Sequence, residues 1–321
     1  MVLLSATAIG LIDRQPILSR PMAHPPSNIL VVGASGFIGR HLVRRFALDG
    51  CEVEAWSRSE VEAPPGTESG FRYRCVDLLG TEELPAPPDG GWDVVFQLAG
   101  ESRPSRFTGQ THLRDTVRMA ARVVSHVGRV SPGCRYILNS SAYVYSASED
   151  PRSEKDETVP TGPYGLAKLI AEDLTLLHRD RLHVTIVRAF NLIGPGLPDG
   201  LFATDLLAGL RGDVSPASLN GADVQRDLLD IRDAVAAYSA LLGSDYESGS
   251  VFNFCSGRAI RSSEFAGILL NELQQSRELR FEGTPHMPIL GSCQKLRSLA
   301  DWDPKFSIAE TARSFVEVHR G

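Results

Sequence analysis

Tyr164 and Lys168 stand four residues apart in the stretch SSAYVYSASEDPRSEKDETVPTGPYGLAKLIAEDL, which begins at Ser140. That spacing puts both side chains on one face of a helix. A tyrosine ordinarily loses its proton at about pH 10, too high for acid–base work near neutrality. An ammonium beside it favours the phenolate and brings the phenol into range. Ser140 and Ser141 complete the set if they end a strand, because a hydroxyl at the carboxyl end of a sheet can hydrogen-bond a substrate oxygen. The chemistry on offer is transfer of a proton to or from an oxygen on carbon. A tyrosine and lysine at this spacing are more often a plain surface pair, so the reading depends on what precedes them.

What precedes them is a strand, turn and helix, NILVVGASGFIGRHLVRRFALDG, with an apolar run at Ile29–Val32 and helical spacing from Phe37 to Phe46. Gly33, Gly36 and Gly39 form G-x-x-G-x-x-G between the two. Glycines suit a tight turn where a pyrophosphate approaches backbone N–H groups at a helix N-terminus. The turn predicts a dinucleotide contact surface of these glycines with Ser35, Phe37 and Ile38. Four further strands are read from CEVEAWSR, FRYRCVDL, WDVVFQLAG and CRYILNSSA, and a sixth from RLHVTIVRAFNLIG. Strands alternating with helices predict a Rossmann-type, doubly wound parallel α/β sheet. At the end of the second strand, Ser57 occupies the position where an NAD site usually has a carboxylate, and Arg58 follows. A 2′-phosphate suits that pair, so NADP(H) is favoured over NAD(H), with Arg40 as a second contact.

Residues 1–27 read as a tail, with Met22 as a candidate start beside Met1, 28–190 as the dinucleotide domain and 191–321 as a smaller mixed α/β substrate lobe. A segment near 224–255 is expected to return to the main sheet. In the lobe, SSEFAGILLNELQQ reads as a helix opened by a serine cap and SIAETARSFVEVHR as a final helix.

The 321 residues are 42% hydrophobic and 22% charged, the balance of a globular chain. A net charge of −6 without a long basic block argues against nucleic acid as a partner. No apolar run is long enough for a membrane span. MVLLSATAIGLI lacks a basic start and is followed by Asp13 and Arg14, so a cytoplasmic protein is expected. Five scattered cysteines without C-x-x-C spacing read as reduced thiols, with no disulfide and no metal site.

GASGFIG, VDL, VVFQLAG, NSSAYVY, YGLAK and RAFNLIGPG together resemble the extended short-chain dehydrogenase/reductase family, the NAD-dependent epimerases and dehydratases, over nearly everything from Asn28 onward. The resemblance implies an oxidoreductase in which Ser141 is the catalytic serine and Tyr164 the general acid/base. Lys168 would lower the tyrosine pKa and hold the nicotinamide ribose. Asp77 and Leu78 would lie near adenine, and Leu98, Ala99 and Gly100 would flank the cofactor. A homodimer through a pair of helices is also implied.

The second half, with QRDLLDIRDAVAAY, VFNFCSGRAI and LADWDPKFSIAET, is similar to the GDP-4-keto-6-deoxy-mannose reductase branch. This implies a nucleotide-sugar substrate, met by Asn191, Arg226 and Arg258. Three departures from the family stand out. Ala142 and Tyr143 replace the acidic pair of the dehydratases, which points away from dehydration. His112 replaces an asparagine that supports a relay water, and EGTPH lacks an arginine of the reductases, leaving Arg280 as the nearest basic residue. The expectation is NADPH-dependent reduction of a nucleotide-linked 4-keto-6-deoxyhexose. The alternatives are a 4-epimerase with tightly held NAD and a non-catalytic dinucleotide sensor.

Overall fold

The computed structural model describes residues 27–211, 216–284 and 286–319. Apart from Ser27, the expected tail and both candidate start methionines lie outside the described residues. Strands β1 (Asn28–Val32), β2 (Glu52–Ser57), β3 (Phe71–Cys75), β4 (Val94–Gln97) and β5 (Arg135–Ser141) follow the apolar runs of the sequence. A short β6 (Ser148–Arg152) lies outside the main sheet, which continues with β7 (His183–Ala189). The sixth strand expected over 181–194 is broken at Phe190. Its N–H still bonds the carbonyl of Phe254, while β8 (Asn191–Ile193) turns away to pair in the lobe. The lobe adds β9 (Ala217–Leu219), β10 (Gln225–Asp230), β11 (Ser250–Phe254), β12 (Ala259–Arg261), β13 (Leu279–Phe281) and β14 (Ile289–Gly291).

The main sheet runs β3-β2-β1-β4-β5-β7-β11, every neighbouring pair parallel. Its helices are α1 (Phe37–Leu48), α2 (Gln110–Val130) and α3 (Pro163–Leu176), followed in the second half by α4 (Phe202–Leu210), α5 (Ile231–Leu242), α6 (Ser262–Glu272), α7 (Gln294–Ala300) and α8 (Ile308–His319). One face of the sheet packs Trp56, Val95, Tyr136 and Ile186 against Val123 and Val127 of α2 and Ala171 of α3. The other packs Phe96 and Phe254 against Phe46 of α1 and Tyr238 of α5. With helices on both faces, a strand must be apolar on both, which is why Ile29–Val32 is a continuous buried run.

Within 224–255, β11 joins the main sheet beside β7 and α5 joins its helix layer, whereas β10 pairs in parallel with β8 and antiparallel with β12. That small sheet and α4, α6 and α8 close a third core around Leu206, Phe265 and Phe315. The serine cap expected for α6 is not made. Arg261 is the N-cap residue, Ser262 and Ser263 lie inside the helix, and the Asp223 carboxylate accepts from the N–H and the hydroxyl of Ser263, both at 2.9 Å. A true serine cap opens α8, where Ser307 N–H donates to Glu310 Oε2 at 2.8 Å and Glu310 N–H donates back to Ser307 Oγ. Among the described residues, no helix is long and apolar enough to cross a membrane.

Candidate active site

The glycine turn sits where the strand order reverses, because the chain runs from β1 out through β2 and β3 and then comes back to β4 on the other side. Gly33 adopts a φ of +88°, and a Cβ there would lie 2.7 Å from the Ala99 nitrogen, so only glycine lets the turn pack on the backbone after β4. A Cβ on Gly39 would lie 2.8 Å from Ala34 Cα, so its absence brings α1 down onto the turn. The first helical hydrogen bond of α1 is closed by Arg40 N–H onto the Gly36 carbonyl at 3.1 Å. The N–H groups of Phe37, Ile38 and Gly39 are therefore left for an anion at the positive end of the helix dipole. These donors and the missing Cβ atoms fit the pyrophosphate of a dinucleotide.

Ser141 ends β5, and its hydroxyl accepts from Tyr143 N–H at 3.3 Å, capping the short 3-10 turn Ala142–Val144. On α3, the residue after Tyr164 is Gly165, where a Cβ would overlap the Tyr143 carbonyl oxygen. The missing side chain lets the first turn of α3 sit directly on the turn after Ser141. Tyr164 and Ser141 are brought onto the wall of one cleft as a result. Burial pushes the Tyr164 phenol up to about 12, partly opposed by the neighbouring Ser141 hydroxyl and reinforced by Tyr143 and Glu101. One turn on, Lys168 Nζ donates to the Asn139 carbonyl at 3.2 Å and lies 5.9 Å from the Tyr164 ring centre. Burial brings its ammonium down to about 8, and Glu172 works in the other direction. At neutral pH the phenol holds its proton and the ammonium is mostly charged, a state suited to giving a proton away.

Aromatic groups confine the phenol. Phe107 meets the Tyr164 ring edge to face at 5.1 Å and Tyr143 does so at 5.5 Å. His112 packs behind Phe107 at 5.5 Å. Of the nearby carboxylates, Glu101 is partly buried, which works against its charge. The bidentate grip of Arg103, at 2.7 and 2.9 Å, nevertheless holds it below its ordinary pKa.

A cleft of about 820 Å³ joins these parts and extends into the lobe. It brings together Gly33, Ser35–Gly39, Arg40, Leu98 and Gly100 with Ser141, Tyr164 and Lys168, and then with Asn191 and Arg226. Asn191 Nδ2 donates to the Asp227 carbonyl at 3.0 Å. The Arg226 guanidinium lies 4.0 Å over the Phe202 ring, and burial lowers its pKa.

Other expected site residues do not line this cleft. Ala99 is not on the cleft wall; it packs behind Gly33. Ser57, Arg58, Asp77 and Leu78 are beyond the cleft wall, at the ends of β2 and β3. Asp77 caps its own turn by accepting from Leu79 N–H at 3.0 Å. That turn is held by Arg122 of α2, which donates to the carbonyls of Asp77, Leu78 and Gly80 at 3.2, 3.0 and 2.7 Å, a clamp the sequence does not announce. Arg258 does not reach the cleft. Asp227 pins the Ser256–Gly257 turn through both N–H groups, and Arg258 leaves that turn into a separate surface hollow with Arg297, Asp301 and Trp302. Arg280 is exposed on β13, away from the cleft wall.

The family model of the NAD dependent epimerase/dehydratase family matches residues 29–255, and the chain belongs to that family. It is an NAD(P)-dependent oxidoreductase of the extended short-chain dehydrogenase/reductase type. It is 29% identical over 312 residues to the GDP-6-deoxy-D-mannose reductase of Pseudomonas aeruginosa, covering 90% of this chain and 96% of that one. To the UDP-glucose 4-epimerase of Mycolicibacterium smegmatis it is 25% identical over 316 residues, covering 91% and 98%. The solved structure of RMD from Pseudomonas aeruginosa complexed with NADPH shares the fold, with a TM-score of 0.72 at 24% identity over 91% of this chain and 98% of that one.

Proposed function

We propose that this family member catalyses the NADPH-dependent reduction of the 4-keto group of a nucleotide-linked 4-keto-6-deoxyhexose, with a GDP sugar as the first candidate. The observation that carries this is Tyr164, buried beside Ser141 in a cleft whose turn after Ser141 offers Ala142 and Tyr143 and no carboxylate. A carbonyl oxygen placed between the two hydroxyls accepts a hydrogen bond from Ser141 and then the phenolic proton of Tyr164 as negative charge develops on it. The reduced nicotinamide, when bound, supplies the hydride that adds to the carbonyl carbon. Lys168 stabilises the phenolate left behind. Removing water and a proton across neighbouring sugar carbons would need a free carboxylate near Ser141, and Glu101 is tied up by Arg103.

The phosphorylated cofactor is favoured by Ser57, which adds no charge, and by Arg58, whose exposed guanidinium has no partner among the described residues. In the lobe, Arg226 over Phe202 and the amide of Asn191 suit a nucleotide diphosphate. The similarity to a GDP-6-deoxy-D-mannose reductase supports this reading.

The direct experiment is NADPH consumption with 4-keto-6-deoxy sugars carrying GDP, dTDP, UDP or CDP, with the product alcohol identified by NMR. Turnover with one of them is expected. Failure with all four would sink the proposal, and purified protein that carries bound NAD and interconverts 4-epimers with no added cofactor would replace it with the epimerase reading.

A further inference from the structure

Behind Lys168 lies a buried polar chain that the catalytic motif does not explain. Glu172 follows Lys168 by one turn of α3 and is 2% exposed. Its carboxylate accepts from the Ser140 hydroxyl. It also accepts from Arg188 of β7 through Nη2 at 2.7 Å and Nε at 3.1 Å. Arg188 is itself buried, and its Nη1 donates to the Tyr145 hydroxyl at 2.8 Å, which donates to Asn253 Oδ1 of β11 at 2.9 Å. A closed ion pair of this kind is a poor stabiliser. Desolvation offsets most of its attraction, and an apolar pair often serves as well.

The position of Glu172 suggests another use. Tyr164, Lys168 and Glu172 lie at successive four-residue steps and form one line along α3. From β5, Lys168 meets the Asn139 carbonyl, with Ser140 next to it. From α5, the Tyr238 hydroxyl donates to Asn139 Oδ1 at 2.7 Å. Tyr143 of the 3-10 turn and Glu101 of the loop after β4 act on Tyr164. Arg188 arrives from β7 and is matched by Glu172. Glu172 is thus the charged group that bears on the buried ammonium of Lys168.

We propose that Glu172, held by Arg188, is a positioning residue for the proton-transfer pair: it keeps Lys168 charged and ties Ser140, and through it Ser141, to the helix that carries Tyr164. The proposal rests on Tyr164 and Lys168 being the reacting pair, but the charge relation belongs to the free protein and is measured there.

The chain has four lysines, Lys155, Lys168, Lys295 and Lys305, so a protein labelled with 13C and 15N in lysine gives a side-chain spectrum that a Lys168→Arg variant assigns. Titration of the cofactor-free protein should place the Lys168 midpoint at about 8. Glu172→Gln should lower it by roughly one pH unit, since a unit charge is removed at close range and Arg188 is left unmatched. Arg188→Met should raise it. Glu172→Gln with Arg188→Met should return it toward the wild-type value, because the pair carries no net charge in either case. A structural role alone leaves the midpoint where it is. No movement, or the same direction in both single variants, overturns the proposal.

If Glu172→Gln does not fold, Arg188→Met and the double variant decide. In turnover assays, the alkaline limb of the kcat profile should follow the same order. Moved midpoints in a protein that reduces no 4-keto sugar would leave this inference standing and remove the ketoreductase reading. Turnover with an unmoved lysine does the reverse.

Discussion

Gly165→Ala tests the contact that assembles the site. In the first turn of a helix, exchanging glycine for alanine ordinarily gains up to about 1 kcal/mol in backbone entropy and propensity. Here the new Cβ would overlap the Tyr143 carbonyl oxygen, with the carbonyl carbon at 2.9 Å and Pro160 Cβ at 3.1 Å. Backbone cannot swing aside as a side-chain end can, so α3 and the turn after Ser141 must separate by about 1 Å. Overpacking of this kind costs about 1–3 kcal/mol. After the propensity gain, the net loss of stability should fall between about 0 and 3 kcal/mol.

Activity should suffer far more, because the displaced contact is the one holding the Tyr164 phenol against Ser141, and a misplacement of about 1 Å costs about 100-fold in rate. The control is Gly267→Ala in α6, where a Cβ meets open space, which should be neutral or stabilising and leave turnover unchanged. Urea unfolding and kcat/KM, measured on both variants, separate the two effects. If Gly165→Ala keeps turnover within about twofold of wild type, the close approach of α3 to the turn is not what sets the Ser141–Tyr164 geometry.

Tyr164→Phe should lower kcat by about 10²–10⁴-fold while leaving dinucleotide affinity, measured by fluorescence titration, near wild type. Arg58→Ala should raise the KM for NADPH by about 10-fold or more and leave that for NADH alone, since one charge-assisted contact to a 2′-phosphate is removed. Arg226→Ala should raise the KM for the sugar nucleotide and Arg258→Ala should not, because only Arg226 faces the cleft. Burial raises the Asp227 carboxyl to about 6 from an ordinary 3.8, against its hydrogen bonds from Ser256 and Gly257. The folded state then holds the proton more tightly than the unfolded one. This contribution to stability is fully present below about pH 4 and lost as pH rises through about 6. Urea unfolding of Asp227→Asn across that window should show a flatter pH dependence than wild type, and an unchanged slope would mean that Asp227 titrates as in the unfolded chain.

Several parts of this structure are written locally in the sequence. A strand buried on both faces needs a continuous apolar run, and Ile29–Val32 is one. A turn packed onto the neighbouring strand needs Gly33, and a proton-transfer pair on one helix face needs a four-residue step. What escaped the reading depends on partners that arrive from far along the chain. Ser262 and Ser263 have the composition of a helix cap, yet Asp223, forty residues before Ser263, does the capping. Glu172 looks like any surface glutamate of an amphipathic helix until Arg188 reaches it from β7.

Arg226 and Arg258 show the same effect within the lobe. Both are isolated basic residues near β10 and β12, but the antiparallel register that sets Arg226 opposite Ile260 puts Arg226 over Phe202. The neighbouring Asp227 side chain then holds the turn from which Arg258 departs in another direction. Short-range spacing therefore carries the proposed reaction, a hydride and a proton at one carbonyl. Long-range pairing sets what surrounds its lysine, through Glu172 and Arg188, and which of the two cations faces the cleft. A relative could keep Ser141, Tyr164 and Lys168 intact and still act on a different sugar nucleotide through a change of register in β10 and β12 alone.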